Sequence, residues 1–350
     1  MLWKRIGLED FEFPKVADYK KDYIKLENSL PPGVELVKIT EDADDYFNID
    51  GIQGLGDKFI SFAKEFYNSG IALSLSRNTK IIAPIKIEFN IDDKNPIVID
   101  KNIIIAESGS EITLVIDYSS SEKVEGFHNG LTVVYAKENS VVNIIKIQRM
   151  NDISCNFDSN IAFVEGQGKV NWLSVELGSN ISGCNYTTFL EGEASESNLS
   201  SIYLGDGTRK MDLCYSMIHQ GSRSISTIET KGVLKDKSRK VFRGNLDFKR
   251  GARHSKGAEE EYVILLDPTV KSDSIPALLC DEDDVEGEHA ASAGQIDENR
   301  LFYLMSRGLD EREAKKLIIE ASFRPVIDKI PFEGLRKLIS NEVDRRLIND

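Results

Sequence analysis

Short apolar runs separated by polar turn residues dominate the middle of this 350-residue chain. Short runs rich in Ile, Val, Thr and Tyr recur from Gly70 to about position 295, among them IALSL, IKIEF, ITLVID, LTVVYA, VVNIIKI and YVILL. Turn residues separate these runs, a pattern typical of short β-strands. Because no helical pattern interrupts the region, the sequence excludes an alternating βαβ fold and leaves a sandwich, a barrel or a solenoid.

A degenerate repeat of about 28 residues favours the solenoid. Four turn glycines lie 26, 29 and 30 residues apart: Gly166, Gly192, Gly221 and Gly251. Three cysteines lie 29 and 30 residues apart: Cys155, Cys184 and Cys214. A unit of two or three short strands without a helix is typical of one solenoid coil, in which equivalent positions stack. The sequence therefore predicts a mainly β protein built on a β-helix, with the three cysteines in one buried column.

Helical patterns flank the β region. We divide the chain into an N-terminal helical region (1–69), a β-helix core (70–295) and a C-terminal helical domain (296–350). In the last of these, Asp297 is placed to cap a helix over 298–306, and Asp310 with Glu313 resembles a capping box. The C-terminal helices are suited either to capping the solenoid or to docking a partner, and the pattern does not distinguish the two.

Charge and composition narrow the function. The net charge of −14 and the pI near 5.0 argue against a nucleic-acid surface and against a polybasic membrane anchor. No run approaches the 18 apolar residues of a membrane span, and the N-terminus MLWKRIGLEDFEFPK lacks the apolar segment of a signal peptide. The four cysteines include no C-x-x-C pair. We therefore expect a cytoplasmic protein that binds neither nucleic acid nor membrane.

Motifs of common enzymes are missing from the sequence. There is no G-x-x-x-x-G-K-[ST] phosphate loop, no G-x-G-x-x-G between a strand and a helix, and no H-E-x-x-H. The four histidines lie 35 or more residues apart, so they form no local metal motif. We assign no catalytic residue.

The acidic run CDEDDVEGEHA, from Cys280 to Ala290, has three interpretations. It is a solvated turn, a site for a hard cation, or a site for a softer metal such as iron. In the third case His289 would act with neighbouring carboxylates and a thiol, Glu288 and Cys280 being the nearest. A lone histidine supplies one ligand, so a second chain would have to supply others.

The segment DSIPALLCDEDDVEGEHAASAGQIDENRLFYLMSRGLDEREAKKLIIEASF resembles the C-terminal signature of the SufB/SufD family of iron–sulfur cluster assembly proteins. The matching elements are Ser274–Pro276, Asp283–Val285, His289–Ser292 and Leu301–Gly308. Upstream, Phe242–Gly244 and Gly251–Ala252 fit the same family. The similarity extends over about 70–350.

Within the family the chain is most similar to the SufD branch. Lys271 stands where SufB carries an essential cysteine, and Ala290 replaces the glutamate that follows the motif histidine in SufB. Two positions depart from the pattern. Gly287 stands where some SufD proteins have a cysteine, and Glu259–Glu261 replaces a polar Gln/Asn pattern.

The resemblance implies a right-handed parallel β-helix in a non-catalytic scaffold subunit of the SUF complex. It implies two kinds of partner, a SufC-like ABC-type ATPase and a SufB-like paralogue or a second copy of this chain. A transient iron–sulfur cluster would form at the subunit interface, with His289 as its ligand and Cys280 and Glu288 as weaker candidates. Whether a flavin binds to the assembled complex is left open.

The resemblance also places the ATPase dock on the C-terminal helices. The candidate residues are Leu301, Phe302, Tyr303, Arg307, Leu317 and Ile318. Two other functions remain as alternatives. One is a β-helix enzyme that acts on polysaccharide, and the other is a purely structural solenoid.

Overall fold

The computed structural model describes residues 6, 11–26, 29–39 and 54–348. Within these residues the strands form two sheets, named sheet A and sheet B. Sheet A has nine strands in the spatial order β1 (Ile24–Lys25), β4 (Ile85–Ile91), β7 (Glu111–Ser120), β9 (Val141–Arg149), β11 (Lys169–Glu176), β13 (Glu196–Gly205), β15 (Ile225–Leu234), β17 (Ser255–Leu265) and β20 (Val285–Gly294). Sheet B has eleven: β2 (Val34–Lys38), β3 (Ser69–Leu75), β6 (Asp100–Ala106), β8 (Phe127–Ala136), β10 (Cys155–Val164), β12 (Ile181–Leu190), β14 (Lys210–His219), β16 (Arg239–Phe248) and β18 (Lys271–Ser274), with β5 (Ile97–Val98) beside β8 and β19 (Ala277–Cys280) beside β16.

Neighbouring strands from β3 onward are parallel and in register. Cys155 of β10, for example, pairs with Phe127 of β8 on one side and with Ile181 of β12 on the other. One strand in each sheet makes one coil, and successive coils stack into a β-solenoid. The predicted mainly β fold and parallel β-helix are confirmed.

The helices pack on the outside of the solenoid. They are α1 (Asp57–Phe66), α2 (Glu298–Ser306), α3 (Glu311–Ile327) and α4 (Glu333–Ile348). Helix α1 covers the outer face of sheet B at β6 and β8, whereas α3 contacts β13 and β15 on the outer face of sheet A. The predicted N-terminal caps of α2 and α3 are confirmed, since Asp297 accepts from the amide of Asn299 at 2.9 Å and Asp310 forms a capping box with Glu313.

The turns from sheet B to sheet A contain the predicted glycines. Gly166, Gly192, Gly221 and Gly251 lie in four successive turns. A Cβ atom on Gly192 would lie 2.0 Å from the backbone nitrogen of Gly166, so this stacking of turns requires glycine. A buried serine ends several of these turns; the Ser140 hydroxyl donates to the carbonyl of Lys137 at 2.7 Å.

The predicted cysteine column is wrong. Cys155 pairs with Ile181, 26 positions later, whereas Cys184 pairs with Asp158. The next coil is 29 residues long, from Ile181 to Lys210, so the spacing of 30 displaces Cys214 by one position. A shift of one residue turns a side chain to the opposite face of the sheet. Cys184 therefore faces the interior and is fully buried, while Cys155 and Cys214 are half-buried on the outer face.

The two ends of the solenoid differ. At the first end, β1 pairs antiparallel with two residues of β4, and β2 pairs antiparallel with five residues of β3, so both edges of the first coil are partly covered. At the other end, β20 is the last strand of sheet A, and β18 and β19 are the last of sheet B. Among the described residues no strand pairs with the outer edge of β20, so the last coil is open.

We predict one fast and one resistant thiol in the native protein. Cys280 is exposed in the last coil, whereas burial of Cys184 raises the pKa of its thiol well above the usual value. Because the thiolate is the reactive form, an alkylating reagent should modify Cys280 first and Cys184 only after unfolding. Mass spectrometry at timed intervals gives the order. Cys280→Ser should remove the fast phase alone, and rapid labelling of Cys184 in the folded chain would contradict its interior position.

Candidate functional site

His289 lies on β20, in the open coil. It pairs in register with Glu259 of β17, which pairs with Ile228 of β15. Side chains at paired positions of parallel strands point to the same face. Since Ile228 belongs to the apolar cluster between the sheets, Glu259 and His289 also point to the interior side. His289 is nevertheless exposed, because none of the described strands covers it.

Glu259 is a buried carboxylate without a hydrogen-bond partner. The residue is 2% exposed, and neither carboxylate oxygen has a partner among the described residues. The side chain crosses the interior to Gly244 of β16, where a Cβ atom would lie 2.6 Å from Cδ of Glu259. Burial, together with the nearby carboxylate of Glu261, raises the pKa of Glu259 to about 7. The Glu259 carboxyl therefore occupies the space left by the missing side chain of Gly244, and it makes no hydrogen bond to the described residues.

Glu261, two residues along β17, is fully paired by contrast. Its Oε1 lies 2.6 Å from Nζ of Lys240 and accepts a 2.8 Å hydrogen bond from the Tyr203 hydroxyl, while Oε2 accepts from Ser274. Tyr203 reaches Glu261 across Gly232, where a Cβ atom would lie 2.0 Å from the ring. The Lys240 and Glu261 side chains are both fully buried, and burial lowers the pKa of Lys240. These bonds hold one of the two interior glutamates in place.

The other predicted ligands lie at the same end of the solenoid but in different settings. Cys280 is the last residue of β19, pairs with Phe248 of β16 and is exposed. Glu288 precedes His289 on β20 and therefore points to the outer face of sheet A, where it is exposed. Within the described ranges, no group of three His, Cys, Asp or Glu side chains is arranged to hold a metal ion.

Further buried polar groups lie deeper in the solenoid. Nε2 of His128 lies 2.6 Å from Asp100, and Nζ of Lys146 lies 2.8 Å from Asp158. The carboxyl of Glu176 is also buried, which raises its pKa to about 7. Sequence reasoning missed these groups and missed Glu259. The available signal was a charged residue at an inward position of an alternating strand, which is recognisable only when the register is known.

The predicted docking residues lie on α2 and α3, and Arg307 is the C-cap residue of α2. Phe302 is 74% exposed and Tyr303 55%, while Leu301 is partly buried against the apolar layer under the helices. Tyr303, Leu317 and Ile318 line a groove of about 840 Å³ between these helices and sheet A. Arg307 hydrogen-bonds the Tyr303 hydroxyl at 3.2 Å. This face is an exposed apolar groove with an aromatic rim.

No helix in the described part of the chain is long and apolar enough to cross a membrane.

Comparison with known proteins identifies relatives. Residues 89–322 match the family described as "SUF system FeS cluster assembly, SufBD core domain". The chain is 26% identical over 304 residues to the "Iron-sulfur cluster assembly protein SufD" of Bacillus subtilis, covering 86% of this chain and 70% of that protein. It is 26% identical over 296 residues to an "Iron-sulfur cluster assembly SufBD family protein" of Staphylococcus epidermidis, covering 82% and 63%. The chain thus spans about two thirds of the length of these relatives.

Replacing Glu259 by glutamine should stabilise the protein increasingly as the pH rises. The folded-state pKa of Glu259, about 7, exceeds the usual 4.5, so folding favours the protonated form. The stability linked to this proton is complete below about pH 4.5 and is lost as the pH rises through 7, a loss on the order of 3 kcal/mol. Glu259→Gln does not ionise, so its advantage over wild type in free energy of unfolding should grow from about pH 5 to about pH 8.

Urea denaturation at both pH values measures this advantage. Glu260→Gln is the matched control, because Glu260 is exposed on the outer face of the same strand and should show no such dependence. If Glu259→Gln raised the free energy of unfolding by the same amount at both pH values, the buried and unpaired state of the Glu259 carboxyl would be contradicted.

Proposed function

The chain belongs to the SufBD family of SUF-system iron–sulfur cluster assembly proteins, and we propose that it serves there as a SufD-like, non-catalytic scaffold subunit. In this proposal a nascent cluster forms at the open end of the solenoid and is cargo for recipient proteins. The observation that carries the proposal is the position of His289, which is directed to the interior side of the open coil on β20, a strand whose outer edge pairs with none of the described strands.

The open edge of β20 supports pairing with another chain. An edge strand presents unpaired backbone N–H and C=O groups, which a strand of a partner can complete. The residues from Ala290 to Gly294 are small, so a partner backbone can approach closely. We propose a SufB-like paralogue as the partner, with a second copy of this chain as the alternative.

The ligand set supports a cluster shared between subunits. Neutral imidazole is a ligand for iron, and thiolates are the usual ligands of iron–sulfur clusters. His289 and the exposed Cys280 lie in the last coil, on sheets A and B respectively. Because this chain supplies few ligands, the partner would supply the remainder. Glu288 is the weakest candidate, since it points to the other face, and a flavin forms no part of the proposal.

The groove between α2, α3 and sheet A supports an ATPase dock. Its exposed aromatic and aliphatic side chains match the apolar anchors by which protein partners bind. We propose a SufC-like ABC-type ATPase as the occupant. This site lies on the same terminal part of the chain as β20, so ATP-driven movement of the helices would act close to the open coil.

The rival enzyme function has less support from the geometry. A polysaccharide-active β-helix needs carboxylates that its polymeric substrate can reach. Glu259 and Glu261, the buried acids of the last coils, lie between the sheets, where a polymer does not fit. The purely structural alternative is separated from the scaffold function by the effect of removing His289.

His289→Ala should lower cluster formation in the assembled complex while leaving folding and assembly intact. The His289 side chain is exposed, so its removal should cost little packing energy and leave the circular dichroism spectrum unchanged. Anaerobic reconstitution, followed by assay of iron and acid-labile sulfide, measures the loss. His254→Ala is the matched control, because His254 is an exposed turn histidine paired with Asp284. Full cluster formation by His289→Ala would contradict the ligand role of His289 and leave only a structural role for this residue.

Leu317→Asp should weaken binding of the ATPase by about tenfold or more. Leu317 is 44% exposed in the groove, and burying an unpaired carboxylate under a partner costs about 1–3 kcal/mol or more. Calorimetric titration with the ATPase subunit measures the affinity, and circular dichroism verifies the fold. Ile225→Asp, at an equally exposed apolar residue on the solenoid, should bind as wild type. Undiminished binding by folded Leu317→Asp would exclude the groove as the dock.

A further inference from the structure

We propose that α2 is a strap that closes over the groove beneath it and so covers the surface proposed for the ATPase. This groove, of about 840 Å³, separates α2 from α3 and from the outer face of sheet A. The closing movement is inferred from the geometry of the chain itself. Its meaning as a control of the docking site rests on the proposed function.

Helix α2 is the least anchored of the three C-terminal helices, because it contains no buried residue. In contrast, α3 buries Ile319, Phe323 and Val326 in the apolar layer that covers sheet A. Helix α4 is fixed by Arg346, whose buried Nη1 lies 3.1 Å from Asp206 in the turn between β13 and β14. Breaking such a buried pair leaves a charge without its partner, which is costly. Helices α3 and α4 therefore stay with the solenoid when α2 moves.

The two ends of α2 allow the backbone to bend. Gly308 follows the helix with a φ of 99°, and a Cβ atom there would have no neighbour within 4 Å. The connection from β20 runs from Gly294 to Asp297, and within it only Ile296 is buried. Ile296 packs in the apolar layer and fixes the start of α2. Hinges of moving segments lie at such loosely packed ends of elements, so α2 can pivot about Ile296.

The two walls of the groove have complementary apolar surfaces. Tyr303 and Leu304 form the wall on α2, while Tyr262 and Ile264 of β17 and Leu317 of α3 lie opposite. Both tyrosines and Leu317 are exposed to solvent. Closing the groove removes these side chains from water, and burial of apolar surface is favourable. The strap therefore has a driving force to close when no partner occupies the groove.

Charges on the two walls match as well. Arg300 on α2 and Glu260 on β17 both line the groove and are both exposed. Among the described residues the ion-pair contact of Arg300 is with Asp297, at 3.6 Å on the surface, and such pairs contribute little. Lys231, which also lines the groove, is paired with Glu229 at 3.0 Å. Closure brings Arg300 to Glu260 while the apolar walls exclude water, which strengthens their attraction.

Disulfide trapping in the isolated full-length chain tests the closing movement. Glu260→Cys and Arg300→Cys are introduced together in a Cys280→Ser background, which removes the exposed native thiol. Both replaced residues are exposed, so circular dichroism should show the wild-type fold. A disulfide forms only when the two Cα atoms come within about 7 Å of each other. Under mild oxidation this pair should therefore cross-link as α2 closes.

Glu260→Cys combined with Glu298→Cys is the matched control. Glu298 also lies on α2, but it is about 200° around the helix from Arg300 and does not line the groove. The Arg300→Cys pair should cross-link about ten times faster than the control pair or more, because closure brings only the first pair into range. Equal rates, or no cross-link in the folded Arg300→Cys pair, would overturn the strap.

Titration with the ATPase subunit separates the strap from the proposed function. The cross-linked chain should bind about tenfold more weakly, or worse, than the same chain after reduction, because the closed state hides the groove. If both forms bind alike, the strap does not control the dock, and that proposal is rejected while the proposed function stands. If neither form binds, the proposed docking function fails, and the cross-linking rates alone decide whether α2 closes.

Discussion

The constraint on which this structure depends is that each coil of a β-solenoid completes its backbone hydrogen bonds only through the next coil. In the first coil, the antiparallel strands β1 and β2 cover part of the outer edges of β4 and β3. The last coil has no equivalent among the described residues, and β20 is left with one unpaired edge. Unpaired edges are sites of association, so a missing cap at one end of a stacked fold defines a surface for another chain. The proposed pairing with another chain rests on this asymmetry.

In-register stacking also explains why the interior accommodates charge. A polar side chain in one coil lies beside equivalent positions of the neighbouring coils and across from the opposite sheet. Lys240 thus meets Glu261, and Asp100 meets His128, each pair fully enclosed. The pairing is incomplete at some interior positions, because the Glu259 carboxylate has no hydrogen-bond partner among the described residues. His289, on the last strand of sheet A, is exposed although it points to the interior side.

Much of the fold could be predicted from the sequence because its signals are local. Strand alternation, the turn glycines at Gly166 and Gly192 and the caps at Asp297 and Asp310 depend on neighbouring residues alone. The cysteine column failed because coil length varies, from 26 residues after Cys155 to 29 after Ile181, and no local signal marks that change. The inward direction of Glu259 was missed for the same reason. It depends on register, which is set by contacts between coils.

The central claim is that the open edge of β20 is the place where this chain joins another chain. Hydrogen–deuterium exchange of the chain, alone and in complex with the SufB-like partner proposed for it, tests this claim most directly. In the free chain, the β20 amides that point away from β17 should exchange rapidly, while the amides of β10 and β12 in the middle of the solenoid should be protected. Assembly should protect the β20 amides and leave the middle coils unchanged. A complex that forms while β20 exchanges as fast as in the free chain would contradict the account.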